Sequence, residues 1–242
     1  MPKILINDEG RKFLVKDSKD LHTEYGYFKK EELKKAKPGS KIKTNTGKEF
    51  TVFNASFIDL YRKIKRMAQI IPLKDIGLIL TETGINKKSI IVDAGAGSGA
   101  IACFFANIAK KVVTYDVRED FIEIVKHNIQ FLNLKNITIK NKDIYDGIDE
   151  KNVDLVLLDL PEPWKALAST EKALKPGGFL ASYSPTIPQV MDFVNEVRKN
   201  KNFVYIKTSE IIEREWELID RKVRPKSQAI GHSGFVSFAR RN

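Results

Sequence analysis

Between residues 89 and 106 an apolar run closing on a carboxylate, Ser89-Ile90-Ile91-Val92-Asp93, passes through Ala94-Gly95-Ala96-Gly97-Ser98-Gly99 into a second apolar run that begins Ala100-Ile101-Ala102-Cys103. A strand that turns on glycines straight into a helix leaves few architectures open. Glycine lets the backbone approach a ligand closely, and the first N–H groups of the helix then face it. The remainder of the chain keeps the same rhythm. Strands are predicted at Ser89 to Asp93, Val112 to Val117, Ile137 to Lys140, Val153 to Asp159, Phe179 to Tyr183, Phe203 to Ile212 and Gly234 to Ala239, with helices between the first six. That alternation predicts βαβ units and a mostly parallel sheet covered on both faces. The last strand comes after the sixth without a helix and is expected to return antiparallel.

The glycine turn alone leaves its ligand open. Gly95, Gly97 and Ala100 fit the dinucleotide pattern, with Asp116 nineteen residues after Gly97. Three details favour S-adenosylmethionine. Asp93, two residues before the first glycine, would face the cationic methionyl end of that ligand. Gly99 removes a further side chain beside a ligand that carries no pyrophosphate. A second polar edge, Asp159-Leu160-Pro161-Glu162-Pro163-Trp164, ends the fourth strand. Asp116 is placed to accept both ribose hydroxyls, and Asp143 to accept from the adenine amine while Ile144 packs on the ring. Four acids at the ends of four successive strands fit the ligand-binding edge of an open α/β sheet. The expected fold is therefore the class I methyltransferase fold, a Rossmann-like seven-stranded sheet. Its expected cofactor contacts are Asp93, Gly95, Gly97, Ser98, Gly99, Ala100, Asp116, Asp143, Ile144 and Asp159.

Ahead of it, residues 1–55 read as a small basic β domain. Hairpins are predicted from Lys3-Ile4-Leu5-Ile6 to Phe13-Leu14-Val15, and from Lys41-Ile42-Lys43 to Phe50-Thr51-Val52-Phe53. Residues 56–71 read as a linking amphipathic helix, with Phe57, Leu60, Tyr61, Ile64 and Ala68 on one stripe, and residues 72–242 as the catalytic domain. The formal charge of +11 is uneven: residues 1–70 hold 17 Lys/Arg against 9 Asp/Glu, residues 71–195 hold 14 against 16, and residues 196–242 hold 11 against 6. Basic ends around a near-neutral centre suit a polyanionic partner, though a solvated lysine surface has the same composition. Cys103 reads as a buried helix residue, and the three histidines His22, His127 and His232 lie too far apart for a metal site, so no metal is expected. No run approaches the ~20 apolar residues of a membrane span. The start, Met1-Pro2-Lys3-Ile4, lacks a signal-peptide pattern, so a cytoplasmic protein without membrane attachment is expected.

Nearly the whole chain resembles the archaeal branch of the tRNA (adenine-N1)-methyltransferases, the T-loop enzymes of positions 57 and 58. The resemblance is carried by His22-Thr23, Lys65-Arg66-Met67-Ala68-Gln69, Pro72-Leu73-Lys74-Asp75, the glycine loop, Asp159-Leu160-Pro161-Glu162-Pro163-Trp164, Arg224-Pro225 and Gly231-His232-Ser233-Gly234-Phe235. It implies S-adenosylmethionine as methyl donor, with Gln69 among its contacts, Asp159 as the catalytic residue, tRNA as partner and a homotetramer. Many relatives have Tyr or His before the proline that is Pro72 here; this chain has Ile71. Independently of the family, N1 of neutral adenine already offers a lone pair, so the reaction needs alignment more than a base. A fixed carboxylate accepting from the exocyclic amine would stabilise the charge that develops, and Asp159 is the candidate. The target must be extruded from the tRNA elbow. Lys63, Lys65, Arg66, Arg221, Lys222, Arg224 and Lys226 are expected to hold the RNA backbone. His232 is read either as a neutral imidazole reaching RNA or as a turn residue, and Trp164 either as a stacking group or as a cover for the core. The alternatives are a precorrin-type small-molecule methyltransferase and a non-catalytic RNA-binding subunit.

Overall fold

The computed structural model describes residues 2–15, 19–67 and 69–242, and two compact units, Met1–Ile64 and Lys65–Asn242, divide the chain. Met1 and Ala68, both used in the sequence reading, lie outside the described residues.

The first unit contains β1 (Lys3–Ile6), β2 (Lys12–Val15), β3 (Leu21–Thr23), β4 (Gly26–Phe28), α1 (Lys30–Lys35), β5 (Lys41–Lys43), β6 (Glu49–Asn54) and α2 (Phe57–Tyr61). Its main sheet has the order β2-β1-β6-β5. Both expected hairpins form, β1 with β2 and β5 with β6. In the first turn Asn7 Oδ1 accepts from the N–H groups of Glu9 and Arg11 at 3.1 and 2.8 Å, an Asx-type closure that fixes register. Alternate residues Leu5, Phe50 and Val52 meet Phe28 and Leu33 in a core closed to solvent. The β3–β4 hairpin and α1 escape sequence reading because each is too short for a period to show.

The expected helix over 56–71 covers only Phe57–Tyr61. Ser56 and Asp59 form a capping box that starts it. Beyond Ile64 the backbone finds side-chain partners in place of helical ones: Lys65 N–H donates to Asn128 Oδ1 at 2.9 Å, and Met67 N–H to Ser98 Oγ at 3.0 Å. Local periodicity lost to these tertiary hydrogen bonds.

The second unit runs α3 (Leu73–Thr83), β7 (Ile90–Ala94), α4 (Ala100–Ala106), β8 (Lys111–Asp116), α5 (Glu119–Phe131), β9 (Ile137–Asn141), β10 (Val153–Leu158), α6 (Leu167–Ala173), β11 (Leu174–Ser184), α7 (Ile187–Lys199), β12 (Phe203–Ser209), β13 (Trp216–Ile219), β14 (Lys222–Pro225) and β15 (Phe235–Arg241). Seven strands form one sheet in the order β12-β15-β11-β10-β7-β8-β9. β15 lies between β11 and β12, antiparallel to both, as the missing helix implied. The inner strands are near-continuous apolar runs, such as Leu155–Leu158 at 0% exposure, because both faces are covered.

Three differences from the sequence reading have local causes. Between β9 and β10 there is a 3-10 turn, Ile144–Asp146, in place of a helix; Asp143 caps it by accepting from Tyr145 N–H at 2.8 Å. α3 was not anticipated, since Gly77 interrupts its pattern. It is held by buried Ile76 and Ile79 and closed by Gly84, whose N–H donates to Leu80 O. The exposed hairpin β13–β14 fills the connection between β12 and β15.

Candidate active site

The sheet order reverses direction between β7 and β10, the kind of switch point where open α/β sheets bind ligands. Strands β10, β7, β8 and β9 are parallel neighbours, with Leu158 opposite Ala94, Ala94 opposite Tyr115, and Asp116 opposite Asn141. Their ends are therefore level. Asp93, Asp116, Asp143 and Asp159 come together along this one edge.

Asp93 is only 1% exposed. Its Oδ2 accepts from Thr114 Oγ1 at 2.5 Å, while its Oδ1 is buried with no hydrogen-bond partner among the described residues. Burial pushes its pKa up to about 7; the Thr114 hydrogen bond opposes this, and the charges of Asp159 and Asp116 add to it. Asp159 is placed by its own N–H, which donates to Ala94 O at 2.8 Å. Its half-buried carboxylate accepts no hydrogen bond among the described residues, and burial raises its pKa to about 6. Two buried or half-buried acids, one with a single oxygen satisfied and the other with none, form a site that stabilises a cation.

The glycine loop explains itself partly through packing. A Cβ on Gly95 would collide with the carbonyl oxygen of Asp159, so the close approach of β7 and β10 demands glycine. Gly99, at a left-handed φ of 69°, would press a Cβ to 2.9 Å from Val125 Cγ2. Its absent side chain thus serves contact with α5, which corrects the expectation that it clears room for the ligand. At Gly97 a Cβ would meet nothing within 4 Å, and open space lies before the loop. Ser98 is buried, its Oγ holding Met67 N–H, and Ala100 starts α4.

Asp116 is partly committed to protein: its Oδ2 accepts from Gly97 N–H and its Oδ1 from Arg118 N–H, each at 3.0 Å. Each oxygen keeps a second lone pair for a hydroxyl. Ile144 is buried at 3% in the core, Gln69 is exposed, and Ile71 is buried at 4%. Trp164 lies half-buried against the core in the 3-10 turn Pro163–Ala166, so it packs on the core with part of its ring left open to solvent.

Two sequence blocks that seemed unrelated meet behind the edge. Lys74 Nζ donates to Asp75 Oδ1 at 2.8 Å, to Ile211 O at 2.6 Å and to Ser233 Oγ at 2.6 Å; Ser233 Oγ in turn donates to Asp75 Oδ2 at 2.8 Å. Tyr183 donates to Ser233 O at 2.6 Å, and its pKa is pushed up to about 12, chiefly by burial. His232 faces two acceptors, with Nδ1 2.6 Å from Glu210 Oε1 and Nε2 2.8 Å from Pro185 O. The hydrogen bond to Glu210, and after it the one to Pro185 O, raise the pKa of the ring, so the two acceptors favour its protonated form.

Among the expected RNA contacts, Lys63, Lys65, Arg66, Arg221 and Lys222 are exposed and have no ion-pair partner among the described residues. Arg224 and Lys226 are paired across the hairpin with Glu217 and Glu215, which neutralises much of their charge. Sequence reading missed Asn128, fully buried on α5. Its side chain accepts from Lys65 N–H and donates to Lys65 O and Ser98 O, each at 2.9 Å. The available signal was a polar residue in the Ile122, Val125 stripe. Val117 was also passed over, although at 58% exposure it is an apolar side chain directly beyond Asp116.

The level acidic edge, the glycine loop and the orphaned Asp93 oxygen fit a sulfonium ligand that bears an ammonium group, and the fold with this site defines an S-adenosylmethionine-dependent class I methyltransferase. Comparison with known proteins narrows the class. Residues 61–230 match the family model described as tRNA methyltransferase complex GCD14 subunit. The chain is 32% identical to tRNA (adenine(57)-N(1)/adenine(58)-N(1))-methyltransferase TrmI of Methanocaldococcus jannaschii, over 98% of this chain and 94% of that one. Among solved structures, a SAM-dependent O-methyltransferase of Thermotoga maritima superposes with a TM-score of 0.90 at 31% identity, over 99% and 92% of the two chains. The tRNA (m1A58) methyltransferase TrmI of Aquifex aeolicus superposes with a TM-score of 0.86 at 26% identity, over 100% and 97%. The chain belongs to the tRNA (adenine-N1)-methyltransferase family. Neither a precorrin-type activity nor a non-catalytic subunit is favoured: the match runs through the N-terminal unit, and the cofactor edge is intact.

Proposed function

We propose that this protein methylates N1 of adenosine in the T-loop of tRNA, at position 58 and, as in the name of the Methanocaldococcus relative, also at 57. The observation that carries the reading is the Asp159 carboxylate, free of hydrogen-bond partners among the described residues and held beside the cofactor edge by its N–H bond to Ala94 O.

S-adenosylmethionine supplies an electrophilic methyl on its sulfonium. Asp93 offers its unpartnered oxygen to the ligand's ammonium group, and the backbone around Gly95, Gly97, Ser98, Gly99 and Ala100 shapes the wall beside it. Asp116 takes the ribose hydroxyls, Asp143 the adenine amine, with Ile144 and Val117 as apolar neighbours, and Gln69 is a further contact that the family resemblance implies. Asp159 accepts a hydrogen bond from the exocyclic amine of the target adenosine. As N1 is methylated the base gains positive charge, so this bond strengthens in the transition state. No proton has to leave N1. Pro161 and Pro163 stiffen the segment that aims the carboxylate, and Gln189 supports it by donating to Pro161 O at 3.1 Å.

The second unit performs the chemistry and the basic N-terminal unit binds RNA, together with Lys65, Arg66, Arg221, Lys222, Arg224, Lys226 and His232. Assembly as a homotetramer is supported by the β13–β14 hairpin, which exposes Trp216, Leu218, Ile219 and Val223 at 52 to 71%, more apolar surface than a monomer keeps without purpose. Among the described residues no helix is long and apolar enough to cross a membrane, and the proposed site of action is the cytoplasm, where tRNA is processed. Incubation of unmodified tRNA transcripts with labelled cofactor tests the reading: label is expected in wild-type transcript and absent when both T-loop adenosines are replaced by guanosine. Equal labelling of the two transcripts would overturn it.

A further inference from the structure

The N-terminal unit holds a cavity of 420 Å³ lined by Arg11, Lys12, Arg62 and Lys63, with Glu24 and Asp59 at its sides and Ile4 and Phe13 against it. The four cations come from two separate segments: Arg11 and Lys12 come after the β1–β2 turn, whereas Arg62 and Lys63 come after α2. Solvated lysines usually spread over convex surface; here they converge on a hollow.

The pairing pattern sets these cations apart from others in the same unit. Lys41 meets Glu49 at 2.6 Å, and Lys48 meets Asp8 and Glu9 at 2.8 Å. In the cavity, Arg11 stands 3.8 Å from Glu24 and Lys12 3.8 Å from Asp59, beyond the roughly 2.7–3.2 Å range of a hydrogen bond. Arg62 and Lys63 have no ion-pair partner among the described residues. Asp59 faces Lys12 and Arg62 without a hydrogen bond to either, because its Oδ2 accepts from Ser56 N–H at 3.0 Å and Ser56 Oγ at 2.6 Å in the capping box. Its pKa is lowered in spite of partial burial, so it remains charged and fixed. Four cations against two carboxylates leave the hollow positive with its donors unspent. Such a hollow is suited to a tetrahedral anion, which arginine forks meet bidentately.

We propose that this cavity holds a backbone phosphate of the tRNA; the proposal rests on the tRNA reading above. A phosphate contact fixes register without reading sequence. Its loss weakens RNA binding and lowers the salt dependence, leaving the chemical step alone.

The test compares full-length Arg11→Gln/Arg62→Gln with a control of equal charge loss on exposed α1, Lys34→Gln/Lys35→Gln. For the cavity variant KM for tRNA is expected to rise about tenfold with kcat within twofold, and the slope of log K against log salt to fall by about one. The control should shift KM less than twofold. Arg11→Lys/Arg62→Lys should restore the salt slope and part of the affinity. Matching KM and slope in cavity variant and control, with wild type still methylating tRNA, would overturn this proposal alone. Failure of the wild type to bind tRNA would overturn it together with the reading it rests on.

Discussion

Asp93 makes cofactor binding depend on pH in a way that can be worked from the structure. Its folded pKa of about 7 stands well above the ordinary value of 3.8 because the carboxylate is buried, with the charges of Asp159 and Asp116 adding to the shift. A shift of about three units makes ionisation in place cost about 4 kcal/mol. The folded value is raised, so Asp93's contribution to stability is full below pH 3.8 and is lost as pH rises through 7. A bound ammonium group reverses this by favouring the carboxylate. Cofactor affinity should therefore rise about tenfold between pH 6 and pH 8, with proton release in calorimetry near pH 6 and a larger ligand-induced rise in Tm at pH 8. Asp93→Asn should weaken binding at pH 8 and flatten the profile, whereas Asp159→Asn should keep a pH-dependent profile but move it to lower pH, because the Asp159 charge helps to raise the pKa of Asp93. A wild-type Kd that is constant from pH 6 to 8, or an Asp93→Asn profile as steep as wild type, would refute the reasoning.

Asp159→Ala should leave cofactor and tRNA affinity within a few-fold yet slow single-turnover methylation by about 30-fold, or ~2 kcal/mol, as loss of a preorganised acceptor does; an unchanged single-turnover rate would remove Asp159 from the chemistry. With its pKa near 6, that rate in wild type should climb as pH rises through 6 and then level. Asn128→Ala leaves Lys65 N–H, Lys65 O and Ser98 O without their partner and should cost about 2–3 kcal/mol in denaturant unfolding; a loss below about 0.5 kcal/mol would show that the bridge is not needed. Neutralising Arg221 and Lys222 should weaken tRNA binding more than neutralising Arg224 and Lys226, whose charges are already paired; the reverse order in a filter-binding series would contradict that assignment.

The sheet was legible because each strand is a short, buried run between turns, and the antiparallel return of β15 was implied by a missing helix. The acidic edge was legible for the same reason: strand ends can be counted, and parallel neighbours finish level. What was hidden lay in tertiary hydrogen bonds. Nothing near Ile64 announces that the backbone of Lys65 will be taken by Asn128, sixty-three residues away, so the stripe through Phe57, Leu60 and Tyr61 overstated its helix. The motifs around Lys74 and Ser233 were visible as separate blocks, but their meeting, 159 residues apart, was not. His232 shows the limit in chemical terms, since the groups that raise its pKa, Glu210 and Pro185, could not be placed beside it from sequence. Gly99 was rightly singled out for the wrong cause, because the crowding partner is Val125 on the next helix.

The central claim is that this acidic edge directs a methyl group to N1 of a T-loop adenosine. Mass spectrometry of nucleosides from tRNA treated with the protein and isotopically labelled S-adenosylmethionine measures it directly. Labelled 1-methyladenosine mapping to position 58, alone or with 57, is the predicted result. Label confined to another nucleoside, or to a ribose or base oxygen, would contradict it.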